Sequence, residues 1–160
     1  MSTLKRSAAR AIADVAQGML LATIDISATP ERVFRAVTSE ELTRWWGSED
    51  TYRTTKWSGD VRVGGTWRTE GIGRDGKPFS VHGEFIDVEP PRKLVQTWRY
   101  DWDPTESVTT ITWRFEPIEG GTRVIVRHEG FGEAQAACEN HASGWERVLG
   151  WLSANFQVAA

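Results

Sequence analysis

Through the middle of the chain, apolar and polar residues alternate with a period of two. The runs are Trp67–Ile72, Phe79–Val88, Leu94–Trp102, Val108–Phe115 and Thr122–His128. Successive side chains of a strand point to opposite faces, so this period predicts half-buried strands. Leu94, Gln96, Trp98, Tyr100 and Trp102 share one face. Ile111, Trp113 and Phe115 share another, as do Val124, Val126 and His128. The runs are separated by Asp75-Gly76-Lys77-Pro78, Glu89-Pro90-Pro91, Asp103-Pro104 and Glu119-Gly120-Gly121. Short connections built from such turn formers join antiparallel neighbours.

The flanks follow other rules. Leu20–Ser27 alternates, with Leu20, Ala22, Ile24 and Ile26 on one face. Thr29 is then a good N-cap and Pro30 suits the first helical position, with Val33, Phe34 and Val37 as the apolar face. A second short helix is expected over Glu40–Trp46, begun by Ser39 and ended by Gly47. From Glu133 to Phe156 the spacing becomes three and four: Cys138, His141, Trp145, Val148, Leu149, Leu152 and Phe156 make one helical stripe. Gly144 and Gly150 each cost such a helix about 1 kcal/mol relative to Ala, which predicts a bulky neighbour close to those turns. Residues 1–18 read as an N-terminal arm. There Ala8, Ile12, Val15 and Ala16 fit either a helical stripe or a strand entering a hairpin at Gln17-Gly18. The expectation is one α+β domain over 19–157, with two short helices after its first strand. A curved six- to seven-stranded antiparallel sheet closes on the long C-terminal helix.

Composition narrows the function. The chain has 160 residues, 19 basic and 22 acidic, for a formal charge of −3. That balance argues against nucleic acid and anionic membranes, both of which select a basic face. The single cysteine, Cys138, excludes an internal disulfide and a cysteine-based zinc site. The run Met19–Ile26 is too short to span a bilayer and no signal-like apolar segment precedes it, which reads as a cytoplasmic protein. Nine tryptophans stand against two tyrosines. Trp is bulky and its N–H wants a partner, so these rings serve either a packed core or an aromatic-walled cavity.

Several stretches are familiar in order and spacing. Ala28-Thr29-Pro30-Glu31-Arg32-Val33-Phe34-Arg35-Ala36-Val37-Thr38 resembles the opening of the START-like (SRPBCC, birch-pollen-allergen-like) superfamily. Trp45-Trp46-Gly47, Asp60-Val61-Arg62-Val63-Gly64-Gly65, Gly83, Pro90-Pro91, Leu94 and Thr97-Trp98 are similar to its branch named for the activator of the heat-shock-protein-ninety ATPase. Gly121-Thr122-Arg123, His128-Glu129-Gly130-Phe131 and Gly144-Trp145 complete a resemblance covering about 19–156. It implies a helix-grip fold with a cavity between sheet and last helix, and a small apolar or aromatic ligand. It does not identify that ligand.

Candidate site residues follow from faces and resemblance together. Trp67, Trp98, Trp113 and Trp145 point inward, either lining the cavity or filling the core. Gln96 lies inward between Leu94 and Trp98, where a buried amide needs partners. His128, ahead of Phe131, is either a satisfied core histidine or a polar anchor, and burial would keep its ring neutral. His141 and Leu149 share the helical stripe. Adjacent helical residues point about 100° apart, so Trp46 is taken as the inward member of Trp45-Trp46 and the other as a surface patch or a dimer contact. Trp57 sits in a polar segment near a turn. His128, Cys138 and His141 make at most a trio without a fourth metal ligand, and no nucleophile–base–acid order is present. The expectation is a non-catalytic carrier or sensor, monomeric or homodimeric, with no metal or cofactor. The alternatives are a cyclase- or hydrolase-like enzyme using His128 or Gln96, and a co-chaperone-like interaction module with a Trp-rich rim.

Overall fold

The computed structural model describes residues 8–101 and 107–157; Trp102 lies outside them. Alternation becomes strand, as the pattern requires. In chain order these are β1 (Arg10–Asp14), β2 (Met19–Ile26), β3 (Arg53–Gly59), β4 (Thr66–Ile72), β5 (Pro78–Glu89), β6 (Lys93–Tyr100), β7 (Thr109–Ile118) and β8 (Gly121–Glu129). They form one antiparallel sheet in the order β1-β2-β8-β7-β6-β5-β4-β3. The helices are α1 (Pro30–Val37), α2 (Leu42–Trp45) and α3 (Gln135–Ala154). This is a helix-grip arrangement.

Among the described residues eight strands replace the six or seven expected, because two escaped the pattern. β1 is Ala-rich and short, so its period was ambiguous; it forms the hairpin alternative, with Asp14 opposite Met19. β3 hides its period because its register shifts between Thr54 and Lys56. A bulge inserts one residue, so Thr54 and Trp57, three apart, both face inward. Trp57 is therefore buried, at 8% exposure, and not the near-surface residue its polar neighbours suggested.

The helices also depart in detail. Thr29 caps α1, its hydroxyl accepting from the Arg32 N–H at 3.2 Å. α2 is shorter than expected, and both Trp45 and Trp46 are buried. Trp46 is the C-cap of α2 in extended conformation, so the helical angle between neighbours does not apply to it. Trp45 donates its indole N–H to the Ala36 carbonyl at 2.9 Å, and Trp46 donates to the Tyr52 hydroxyl at 3.0 Å. Cys138, Ala142, Trp145, Val148, Leu149 and Leu152 form the buried face of α3. Each large apolar side chain there contributes about 1.5–3 kcal/mol on burial. The two helix glycines do not mark close packing: a Cβ at Gly144 or Gly150 would meet nothing within 4 Å.

Candidate functional site

α3 packs across β1 and β2, and α1 packs across β7 and β8. Helices thus cover one half of the concave face. Over the other half, from β3 to β6, lies a cavity of about 680 Å³. Its floor is Trp67 and Thr69 of β4, Val81 and Phe85 of β5, Gln96, Trp98 and Tyr100 of β6, and Trp113 of β7. Its walls are Trp46, Tyr52, Thr54, Trp57 and Phe79. α3 contributes only Arg147, which rests over the Trp151 ring at 5.5 Å.

The aromatic walls are tied to each other and to the backbone. Trp98 stacks on Trp46 at 5.9 Å between ring centres and meets Trp67 at 5.2 Å. Trp67 donates its indole N–H to the Thr97 carbonyl at 3.1 Å. That contact crosses Gly83, where a Cβ would lie 2.8 Å from Trp67 Nε1 and 2.0 Å from the Thr97 oxygen. Trp113 donates to Gln96 Oε1 at 3.0 Å. An indole is donor-only, so this bond fixes the Gln96 amide with its oxygen toward Trp113 and leaves its NH2 for another partner.

Behind the cavity lies a second, closed layer. Trp145 donates its indole N–H to His128 Nδ1 at 3.0 Å, so the proton of His128 is on Nε2 and points to Thr109 Oγ1 at 2.7 Å. A protonated ring would place an N–H against the Trp145 N–H. Burial, reinforced by neighbouring His141, pushes the His128 pKa down to about 3. His141 donates from Nδ1 to the Ala137 carbonyl at 2.7 Å and accepts at Nε2 from the Tyr100 hydroxyl at 2.7 Å. Burial lowers its pKa, partly opposed by the Ala137 carbonyl. Burial likewise drives Tyr100 up to about 12, partly opposed by the Trp98 N–H. That N–H is buried without a partner in hydrogen-bond geometry. Cys138 donates to the Met19 carbonyl at 3.3 Å. Among the described residues no group of three His, Cys, Asp or Glu is placed to hold a metal ion.

Of the residues singled out in the sequence, Trp46, Trp67, Gln96, Trp98 and Trp113 line the cavity. His128, Phe131, His141, Trp145 and Leu149 do not. The rings of His128, Phe131 and His141 form a cluster, 4.7 Å from His128 to Phe131 and 5.0 Å from Phe131 to His141. Trp145 backs this layer against Trp113 at 5.2 Å. Leu149 is fully buried under α3. Sequence reasoning missed Tyr52, Thr54, Trp57, Thr69, Phe79 and Arg147. One signal was available. Glycine inside a strand often marks close approach, and at Gly71 a Cβ would lie 2.5 Å from the Phe79 ring and 2.5 Å from the Arg53 carbonyl.

The sequence matches the family described as activator of Hsp90 ATPase homolog 1-like protein over residues 27–157. The chain belongs to this family. Among solved structures it is similar to a protein of Rhodobacter sphaeroides, with a TM-score of 0.78 and 24% identity over 92% of this chain and 96% of that one. A Chromobacterium violaceum protein also gives 0.78 and 24%, covering 89% of this chain and 99% of the other. An AHSA1 protein from Silicibacter pomeroyi gives 0.70 and 25%, covering 86% and 96%. No curated protein matches the sequence significantly. At these identities the structural likenesses establish the helix-grip fold. Membership of the family supports ligand binding by this fold in general terms. Among the described residues no helix is long and apolar enough to cross a membrane.

Proposed function

We propose that this protein binds a small, largely apolar molecule, flat enough to stack on tryptophan, in the cavity over β3–β6, as a non-catalytic carrier or sensor. One contrast carries the reading. Among the described residues five polar side chains are buried: Thr54, Thr69, Gln96, Thr122 and His128. The two away from the cavity are satisfied by the protein. Thr122 donates to the Ala28 carbonyl at 2.7 Å, and His128 uses both ring nitrogens. The other three line the cavity. Among the described residues, no acceptor takes the hydroxyl protons of Thr54 and Thr69 or the Gln96 NH2. These three residues open onto the cavity, and donors left open in an aromatic pocket are what orients a ligand. The bound molecule therefore carries a hydrogen-bond acceptor on an apolar body.

The alternatives have less support. A catalytic reading needs convergent acid and base groups in the cavity. Of the carboxylates that line it, Asp75 accepts from the Lys77 N–H in its own turn and Asp50 stands in the loop before β3, while His128 and His141 stand behind the wall with both nitrogens engaged. A Trp-rich docking rim needs exposed rings, and Trp45 and Trp46 are buried.

The test is titration of tryptophan fluorescence with fluorene and 9-fluorenone, which share a shape and differ by one carbonyl. Both should give saturable signals that persist at high salt. Fluorenone should bind about tenfold tighter, the worth of one net hydrogen bond. No saturable response to either probe would overturn the proposal.

A further inference from the structure

Among the described residues the sheet ends at β1 and β3, and these two edges differ in how they would receive another strand: Gly47 already bridges Arg53 on the β3 side. An exposed edge offers unpaired N–H and C=O groups and is a template for pairing unless charge or irregularity blunts it. β3 is blunted: a register shift interrupts it between Thr54 and Lys56, and Arg53 and Lys56 are exposed. β1 has neither bulge, lysine nor proline. Its register with β2 is regular through all five pairs. Its outward residues are Arg10, Ile12 and Asp14, and Ile12 is 71% exposed. Ile12 sits directly opposite Leu21, which is 43% exposed, so an apolar strip reaches the edge of the sheet. Among the described residues neither Arg10 nor Asp14 has an ion pair.

The strand is also complementary to itself. Arg10-Ala11-Ile12-Ala13-Asp14, set antiparallel to a second copy and centred on Ile12, places each Arg10 opposite the other copy's Asp14. Ala11 then faces Ala13, and Ile12 faces Ile12 on the axis. A two-fold interface uses the same patch on both chains and must be self-complementary in this way. Opposite charges directly across strands favour this register, while like charges would oppose it. We infer that β1 is a homodimerisation edge, pairing with β1 of a second copy and joining two eight-stranded sheets into one. Leu21, Ile12 and their symmetry mates then form one apolar strip across the junction. α3, on the opposite face of β1 and β2, leaves that strip uncovered.

Sedimentation velocity of the full chain from micromolar to millimolar concentration tests this. The wild type should shift from monomer to twice that mass as concentration rises. Ile12→Lys sets two like charges on the axis and should stay monomeric throughout, with an unchanged thermal melt. Arg10→Asp alone and Asp14→Arg alone each put like charges opposite each other and should also be monomeric. Mixed together, these two variants should form a heterodimer, because every cross-strand pair is again of opposite sign. Asp14 also accepts from the Gln17 N–H at 3.2 Å, so circular dichroism melts accompany this variant. A wild type that stays monomeric, a dimer that survives Ile12→Lys, or charge variants that fail to associate on mixing would overturn the inference.

Discussion

The two halves of the concave face are built from the same alternation but finish their chemistry differently. Under α1 and α3, every buried polar side chain among the described residues has a partner within the protein. His128 is held between Trp145 and Thr109, and Thr122 reaches the Ala28 carbonyl. Over β3–β6, Thr54, Thr69 and Gln96 keep donors that no described residue accepts. The first half is a core whose polar groups fix its packing. The second is a surface folded inward. The cost of mutation should divide along the same line.

The largest effect is expected at Trp145. Trp145→Ala removes a buried ring and leaves His128 Nδ1 without its donor, so it should cost about 3–5 kcal/mol. Trp57→Ala, on the cavity wall, should cost clearly less. Chemical denaturation of both variants measures the difference, and equal midpoints would contradict the division.

Acid comes next. The unfolded chain protonates His128 near 6.5, whereas the folded protein does so only at about 3. Between these values the unfolded state binds more protons. Stability is therefore complete above about pH 6.5 and falls with decreasing pH by about 1.4 kcal/mol per unit. His141, also shifted down by burial, adds in the same direction. Denaturant titrations at several pH values should show this slope. His128→Leu should flatten it, and a slope unchanged in that variant would assign the acid sensitivity elsewhere.

The smallest effect belongs to the open half. Thr54→Val and Thr69→Val remove hydroxyls that donate to no described residue, so each should alter stability by less than about 0.5 kcal/mol. The same changes should narrow the preference for fluorenone over fluorene. A loss of stability like that of a satisfied core threonine would show the hydroxyls to be structural.

How much of this was legible in the sequence depended on where the periods were clean. β4 to β8 and α3 could be read directly, because one wet face and one dry face leave a period of two or 3.6. β3 could not, since one inserted residue put Thr54 and Trp57 on the same side and broke the count. At the site, Trp67, Gln96, Trp98 and Trp113 line the cavity on the strand faces their alternation predicts, while Trp46 came from the resemblance, because the helical angle does not apply to it. His128, His141 and Trp145 face inward just as truly, yet they meet α3 and each other. Periodicity gives the side a residue faces; it does not say which part of that side a helix will cover. Arg147, exposed and turned away from the stripe, carried no apolar signal at all.

The pairing of β2 with β8 also bears on synthesis. Leu20 lies opposite His128, and the Thr23 hydroxyl bonds the Val124 carbonyl, 101 positions away in the chain. β3 to β8 are neighbours in sequence and can zip one after another as they leave the ribosome. The β1–β2 hairpin, made first, has no place in the sheet until almost everything else exists. Contacts of such long separation are slow to form, because the closing of the loop precedes any gain from it. Through that interval Leu20, Ile24 and Ile26 present an apolar face with nothing to cover it, which is when a nascent chain is most exposed to aggregation and to chaperones.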